Sequence, residues 1–146
     1  MGVMGSRNEK PREHIVEICR RLNSKNLLAA ADGNVSLRLA DNEILITPSG
    51  RNKAHIRPQD IATITLDNEV VDGVPSGERL MHLEVYRNVQ EAKAIVHAHP
   101  PAAIAWSIAF PEAKELPSGC MSELILALGS VPIAPYARPE IGRAHV

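Results

Sequence analysis

The stretch NVSLRLADNEILITPSG, residues 34–50, decides the fold because it contains two short strands joined by a tight turn. Apolar and polar residues alternate from Val35 to Leu39, and this period of two is typical of a strand. A second apolar run ends at a Thr-Pro-Ser-Gly turn, and the Asp-Asn pair between the runs favours a hairpin. The alternation places Ser36 and Arg38 on the face of the strand opposite the apolar residues.

Strand and helix signals alternate through the rest of the chain. A first helix is predicted over residues 11–26, where apolar residues recur at helical spacing. The later predicted elements are strands at 60–67 and 69–73, a helix at 78–90, a strand at 94–99, helices at 100–109 and 121–129, and an extended segment at 131–137. Strands covered by helices predict an α/β layered domain.

Composition excludes several classes of function. The chain has 146 residues, enough for one domain with a substantial core. Its formal net charge of -1 gives no basic face for nucleic acid or for an anionic membrane. Its two cysteines, Cys19 and Cys120, are far apart and form no CxxC motif. They therefore predict a reducing compartment, the cytoplasm, without a disulfide framework.

Two histidines stand two residues apart in KAIVHAHPP, residues 93–101. In a strand, residues i and i+2 share a face, so the imidazoles of His97 and His99 can bind one metal ion. The alternative is one histidine buried with a hydrogen-bond partner and the other exposed at the end of the strand. The proline-started helix that follows favours the metal site, because strands in α/β proteins deliver their last residues to a layer edge. A zinc site would need a third protein ligand.

Three turns combine glycine with serine or asparagine. Such turns expose backbone N–H groups, and together they can hold a phosphate, although each is also found in ordinary turns. The candidate residues are Gly33, Asn34, Ser49, Gly50, Ser76 and Gly77. The last two stand at the start of a predicted helix, where free N–H groups and the helix dipole favour an anion.

Glu78 begins that same predicted helix. Acidic residues are common in a first helical turn for structural reasons alone. Beside a metal and a phosphate site, however, the carboxylate is a candidate general acid or base. His82 lies four residues later on the same helix face, and we predict a structural role for it rather than metal binding.

The motifs GNVS, ITPSG, PSGE with MHLEVYR, and AIVHAHPP resemble, in this order and spacing, the class II aldolase/adducin family. The resemblance covers residues 11–139. It implies a three-layer α/β/α sandwich with a mixed, largely antiparallel sheet, incomplete here at the C-terminus. It also implies a homotetramer with active sites at subunit contacts.

The resemblance implies roles for the candidate residues. In the family the H-x-H pair binds zinc, which implies His97 and His99 as ligands for zinc or another divalent ion. The glutamate nineteen residues before the first histidine is the catalytic acid/base, which implies Glu78, also a candidate metal ligand. The phosphate-binding positions correspond to Gly33, Asn34, Ser49, Gly50 and Ser76. Gly77 stands where the family often has a second serine, so one phosphate hydroxyl is missing.

The implied activity is zinc-dependent aldol cleavage of a sugar phosphate or a related sugar. Alternatives within the family are a sugar-phosphate epimerase and a methylthioribulose-1-phosphate dehydratase. Epimerases tend to have aspartate at the position of Glu78, so this residue favours the aldolase. A non-catalytic adducin-like binding module is the alternative of another class, and its members lack the metal-binding histidines. The expected partner is a small-molecule sugar phosphate, with no nucleic acid and no membrane.

The ends of the chain carry their own expectations. We predict a flexible N-terminus at 1–10, a partial family domain at 11–139, and a non-native tail at 140–146. One possible coding of that tail, GAGATCGGAAGAGCACACGTC, reads as a common sequencing adapter. The family's third metal-binding histidine lies further downstream, so this chain is expected to be an inactive fragment that aggregates or binds zinc weakly. The alternative is a natural tail in which His145 is the third ligand.

Overall fold

The computed structural model describes residues 8–117, 119 and 122–135. Two compact units, Met1–Pro100 and Pro101–Val146, make up the chain. The first contains helix α1 (Glu9–Ser24), strands β1 (Asn34–Ala40), β2 (Glu43–Ile46), β3 (Ala62–Ile64) and β4 (Val70–Asp72), helix α2 (Arg79–Asn88) and strand β5 (Ala94–His97). The second contains helices α3 (Pro101–Ala109) and α4 (Ser122–Ala127).

The five strands form one sheet in the order β4-β3-β2-β1-β5. Every strand pair in the described residues is antiparallel. Strands β1 and β2 form the predicted hairpin, in which Ser36 is opposite Ile46. Strands β3 and β4 form the second predicted hairpin, and Asn68 in its turn has a φ of 70°, a left-handed conformation that asparagine tolerates.

The two helices of the first unit cover opposite faces of this sheet. Successive residues of β2 point to alternate faces, so Leu45 packs in one apolar cluster while Ile44 and Ile46 pack in another. The cluster around Leu45 includes Ile15, Val16 and Cys19 of α1, and the other includes Leu83 and Tyr86 of α2. This arrangement confirms the predicted α/β/α sandwich.

The polar face of β1 is buried against α2. Ser36 is fully buried, and Arg38 reaches over the ring of Tyr86 with its guanidinium carbon 4.6 Å from the ring centroid. The alternation in β1 therefore gives this strand an apolar face towards α1 and a polar face towards α2.

Strand β5 is shorter than predicted. It ends at His97, which pairs with Asn34 at the first residue of β1, and so no partner residues remain for a longer strand. The backbone N–H of His99 instead donates to the carbonyl oxygen of Leu27 at 2.8 Å. The prolines that follow lack an N–H and cannot extend the ladder.

The second unit confirms helices where they were predicted, at α3 and α4. Trp106 and Phe110 stack in α3 and just after it, with ring centroids 4.3 Å apart. The extended segment pairs through an antiparallel bridge between Glu115 and Pro132. None of the described helices is long and apolar enough to cross a membrane.

The predicted chain ends fall largely outside the described residues. The described residues do not include residues 1–7 or the 140–146 tail with His145. Helix α1 begins at Glu9 and so includes the last two residues of the segment predicted to be flexible. The second cysteine, Cys120, is also outside the described residues, whereas Cys19 is a buried free thiol.

Candidate functional site

The two histidines lie next to each other at the end of β5. Their ring centroids are 4.9 Å apart with a tilt of 47° between the planes. Only His97 lies in the strand, and His99 is held beside it by the bond from its N–H to the carbonyl oxygen of Leu27. The geometry therefore brings the two predicted imidazole ligands within reach of a common ion.

Glu78 reaches the histidine pair from the start of α2. It is the residue immediately before the helix rather than in its first turn. Its Oε2 lies 2.9 Å from Nδ1 of His97. The same Oε2 accepts a hydrogen bond of 2.5 Å from Nδ2 of Asn34. Its other oxygen, Oε1, accepts no hydrogen bond within the described part of the chain.

Asn34 is held on both ends of its amide and is almost fully buried. While Nδ2 donates to Glu78, Oδ1 bonds to Nε2 of His82. The predicted role of this side chain in phosphate binding therefore stays a prediction, and the observed contacts connect it to Glu78.

His82 is engaged through both ring nitrogens. Its Nε2 bonds to Asn34, and its Nδ1 lies 2.7 Å from Oγ of Ser36. Ser36 in turn lies 2.8 Å from the hydroxyl of Tyr86. Both nitrogens are therefore bonded to protein groups, which agrees with the prediction that His82 does not bind the metal.

Burial lowers the pKa of His82 to about 4, helped by nearby His97 and opposed by Glu78. The unfolded chain gains a proton at this histidine as the pH falls from 6.5 to 4, and the folded chain does not. We therefore expect the contribution of His82 to the free energy of unfolding to be at its maximum above pH 6.5. It should fall by about 3 kcal/mol as the pH is lowered towards 4.

Urea unfolding at a series of pH values checks this expectation. Between pH 6.5 and pH 4 the free energy of unfolding should fall by about 3 kcal/mol less in His82→Gln than in the parent protein. His14→Gln, which changes an exposed histidine on α1, is the matched control and should follow the parent. Parallel curves for the parent and His82→Gln would contradict the assignment.

The three glycine-containing turns meet at one end of the sheet. The N–H of Ser49 donates to the carbonyl of Val74, and the N–H of Ser76 donates to the carbonyl of Thr47, both at 3.0 Å. The N–H of Thr47 donates to the carbonyl of Val35, next to the first turn, at 3.0 Å, and the N–H of Val35 donates to Oγ1 of Thr47 at 3.2 Å. The three turns that were expected to act together therefore form a single cluster of turns, while phosphate binding by that cluster stays a prediction.

Some of the predicted phosphate donors are already in use. The two serine N–H groups form the backbone bonds just described, and Oγ of Ser76 accepts from the N–H of Glu78 at 3.3 Å. Within the described residues, the N–H groups of Gly50 and Gly77 and the hydroxyl of Ser49 bond to no protein group. In the described part of the chain the N–H of Gly33 and the hydroxyl hydrogen of Ser76 also donate to no protein group, so these five donors are left to hold an anion.

Gly33 is required by its surroundings, whereas Gly50 is not. Both have left-handed backbone, with φ of 69° and 64°. A Cβ at Gly33 would contact Leu28 and lie 2.7 Å from the carbonyl oxygen of His97, but a Cβ at Gly50 would meet no atom within 4 Å. The first turn therefore packs directly against the histidine strand.

This contrast makes a prediction about stability. Both alanine variants carry a conformational cost of about 1–2 kcal/mol, and Gly33→Ala adds a steric clash. We expect Gly33→Ala to lower the free energy of unfolding by at least about 1 kcal/mol more than Gly50→Ala. Equal losses in urea unfolding would show that the close approach to His97 does not constrain Gly33.

A buried lysine, which the sequence analysis missed, connects two of the turns. Lys53 is 2% exposed, and its Nζ donates to the carbonyls of Ala31 at 2.7 Å and of Arg51 at 3.0 Å. Burial lowers the pKa of this ammonium. A lysine in a polar loop is ordinarily exposed, so the sequence offered no signal for this role.

The sequence did offer a signal for the buried polar residues. Helical spacing places His82 and Tyr86 on one face, and strand spacing places Asn34 and Ser36 on one face. These polar faces of α2 and β1 contact each other only if the helix packs on that side of the strand. That packing could not be read from the spacing alone.

The donor set fits part of a metal site. Nδ1 of His97 is buried and has no aligned hydrogen bond, although Glu78 is close to it. Two adjacent imidazoles suit zinc and similar divalent ions. Among the described residues, however, no group of three or more His, Cys, Asp or Glu side chains is arranged to hold a metal. The pair therefore supplies two ligands, and the described residues do not complete the site.

Comparison with known proteins finds relatives that are named as a decarboxylase and a dehydratase. The chain is 34% identical to a 3-oxo-tetronate 4-phosphate decarboxylase of Escherichia coli O6:H1 over 88% of its own length and 61% of that protein's. It is 40% identical to a methylthioribulose-1-phosphate dehydratase of Methylococcus capsulatus over 61% of this chain and 44% of that protein.

A solved structure supports the same fold. The crystal structure of L-fuculose-1-phosphate aldolase from Thermus thermophilus matches with a TM-score of 0.72 and 31% identity. The match covers 84% of this chain and 63% of that one. This chain thus spans about three fifths of the length of the decarboxylase and of the aldolase.

The sequence model described as the class II aldolase and adducin N-terminal domain matches residues 13–145. That range contains the histidine pair, Glu78 and all three turns. The resemblance seen in the sequence motifs is thereby confirmed, and the chain belongs to the class II aldolase and adducin family.

Proposed function

We propose that this protein is a metal-dependent lyase that breaks the carbon–carbon bond between the α and β carbons of a phosphorylated sugar with a keto group. The observation that carries the proposal is the position of Glu78, which contacts His97 while one carboxylate oxygen stays free of hydrogen bonds from the described residues. A carboxylate beside two imidazoles suits proton transfer at a metal-bound substrate.

The residues have distinct roles in the proposed reaction. When bound at His97 and His99, a divalent ion would act as a Lewis acid on the substrate carbonyl and offset developing negative charge. In aldol cleavage the β-hydroxyl of the substrate would lose its proton to water as the bond breaks, and the carbon beside the carbonyl would then gain a proton from Glu78.

The cluster of turns holds the other end of the substrate. The N–H groups of Gly50 and Gly77 and the hydroxyl of Ser49 would donate to the phosphate. Holding the unreactive end of the substrate orients the bond to be broken. Because Oγ of Ser76 accepts from the backbone N–H of Glu78, it connects the third turn to the backbone of the catalytic residue.

Retro-aldol cleavage is the first form of this chemistry, and decarboxylation is the second. Sequence analysis did not raise decarboxylation, but the 88% coverage of this chain by the decarboxylase favours testing it. Loss of CO₂ from a 3-oxo acid also breaks a bond to the α carbon of the ketone, and that carbon also gains one proton. Glu78 would therefore have the same role in either reaction.

The other candidate activities make different products. A dehydratase releases water and keeps the carbon skeleton, and an epimerase keeps every atom. An adducin-like binding module would use neither the histidine pair nor Glu78. The arrangement of those three side chains favours an enzyme over the binding module.

A product assay on the full-length protein tests the proposal. Zinc-loaded protein is incubated with fuculose 1-phosphate, with 3-oxo-tetronate 4-phosphate, and with the unphosphorylated form of each. Either phosphorylated substrate would yield dihydroxyacetone phosphate, which coupled NADH oxidation detects, together with lactaldehyde or CO₂ respectively. We expect cleavage of at least one phosphorylated substrate and its loss with a chelator. Zinc-loaded protein that cleaves neither would overturn the proposal.

A further inference from the structure

A line of buried polar side chains runs from α2 through β1 to the candidate site. It passes from the hydroxyl of Tyr86 to Ser36, then to His82, to Asn34 and finally to Glu78. The first four of these residues are at most 2% exposed. Water therefore does not compete for these hydrogen bonds, and their orientation is determined by the protein groups themselves.

The carboxylate at one end determines the direction of the whole line. Oε2 of Glu78 accepts from Nδ2 of Asn34, so the other end of that amide, the acceptor Oδ1, faces Nε2 of His82. Nε2 of His82 must then carry a hydrogen. In a neutral imidazole Nδ1 is consequently an acceptor, so the hydroxyl of Ser36 donates to it. Tyr86 in turn donates to Ser36.

The protonation states of the interior groups agree with this direction. Burial lowers the pKa of His82 to about 4, so its ring is neutral at pH 7. Burial also raises the pKa of Tyr86, so its hydroxyl keeps the hydrogen that it donates. Each group therefore has the donor or acceptor that its neighbour requires.

The opposite orientation of Asn34 would be costly at the site. With the amide reversed, Oδ1 would lie about 2.5 Å from Oε2 of Glu78, placing two acceptors in contact without a hydrogen between them. The reversed amide would also require a hydrogen-free Nε2 on His82. The tautomer of His82 and the orientation of Asn34 are therefore coupled.

We propose that His82 is a positioning residue whose Nε2–H holds the Asn34 amide in the orientation that donates to Oε2 of Glu78. That donation directs Oε1 to the substrate carbon. The inference rests on the proposed function of Glu78 and adds the group that orients it. His82 does not touch substrate or metal and acts only through Asn34.

The tautomer of His82 is the first test, and it needs neither substrate nor metal. The ¹⁵N chemical shifts of a histidine ring distinguish a hydrogen on Nε2 from one on Nδ1. In full-length protein at pH 7 we expect His82 to be neutral with its hydrogen on Nε2. A hydrogen on Nδ1, or a protonated ring, would overturn the inference.

Substitution of His82 is the second test, with kcat and KM measured separately. Glutamine has an amide hydrogen in a place similar to Nε2–H, whereas leucine has no donor. We expect His82→Leu to lower kcat by about 10- to 100-fold with little change in KM, and His82→Gln to recover most of that loss. His14→Leu on the exposed side of α1 is the control for an unrelated histidine.

The kcat values of the two His82 variants decide whether the Nε2–H donor positions Glu78. Equal losses of kcat in His82→Leu and His82→Gln, or an unchanged kcat in His82→Leu, would show that the donor does not position Glu78. If His82→Leu does not fold, a kcat for His82→Gln below one tenth of the parent value would also overturn the inference. If the parent protein cleaves no substrate, the proposed function fails, while the tautomer measurement still tests the orientation of Asn34.

Discussion

Replacing Glu78 by glutamine should remove nearly all turnover while leaving the fold and the bound metal in place. Glutamine has almost the same size, and its amide cannot exchange a proton with substrate carbon. General acid–base catalysis contributes about 10²–10⁴-fold to rate, so we expect kcat to fall by that factor. The measurement is product release under saturating substrate, with metal content determined on the same samples.

Glu84→Gln provides the control for this variant. Glu84 is an exposed carboxylate on the same helix, α2, and its amide variant should keep the parent kcat. A Glu78→Gln protein with a kcat near that of the parent would leave Glu78 with a purely structural role at the start of the helix.

Replacing His97 by alanine should have the largest effect on metal binding. His97 and His99 are the two adjacent imidazoles in the described site, and loss of one removes half of that donor set. We expect zinc affinity to fall at least about 100-fold, since even changes to groups behind the ligands cost 10- to 100-fold. Equilibrium dialysis with Zn²⁺ on the full-length protein measures this loss.

His55→Ala is the matched control for metal binding. His55 is exposed and lies in the loop before the Pro58–Asp60 turn, away from β5 in sequence. It should bind zinc as the parent does. Equal zinc stoichiometry and affinity in His97→Ala and the parent protein would exclude His97 as a ligand.

The hairpins and the helices could be predicted because their signals are local. Alternation along β1 and β2 and the turn residues between them predict a hairpin without reference to the rest of the chain. The apolar spacing of α1 likewise predicts which of its sides is buried. The motifs at Glu78 and His97 could be predicted as a site because their order along the chain resembles a known family.

The contacts that join these elements could not be predicted in the same way. The end of β5 depends on where its partner β1 begins, which is a property of the sheet. The burial of Ser36 and the bonds of Asn34 depend on α2 packing over the polar face of β1. The burial of Lys53 depends on two loops closing around it. All of these are tertiary effects that override local preference.

The central claim is that the histidine pair and Glu78 form one metal-dependent site. Anomalous X-ray diffraction at the zinc edge, on crystals of the full-length protein grown with Zn²⁺, tests it most directly. We predict one strong peak within about 2.0–2.1 Å of a ring nitrogen of both His97 and His99, next to the carboxylate of Glu78. A zinc peak on other side chains, with none at these two histidines, would contradict the claim.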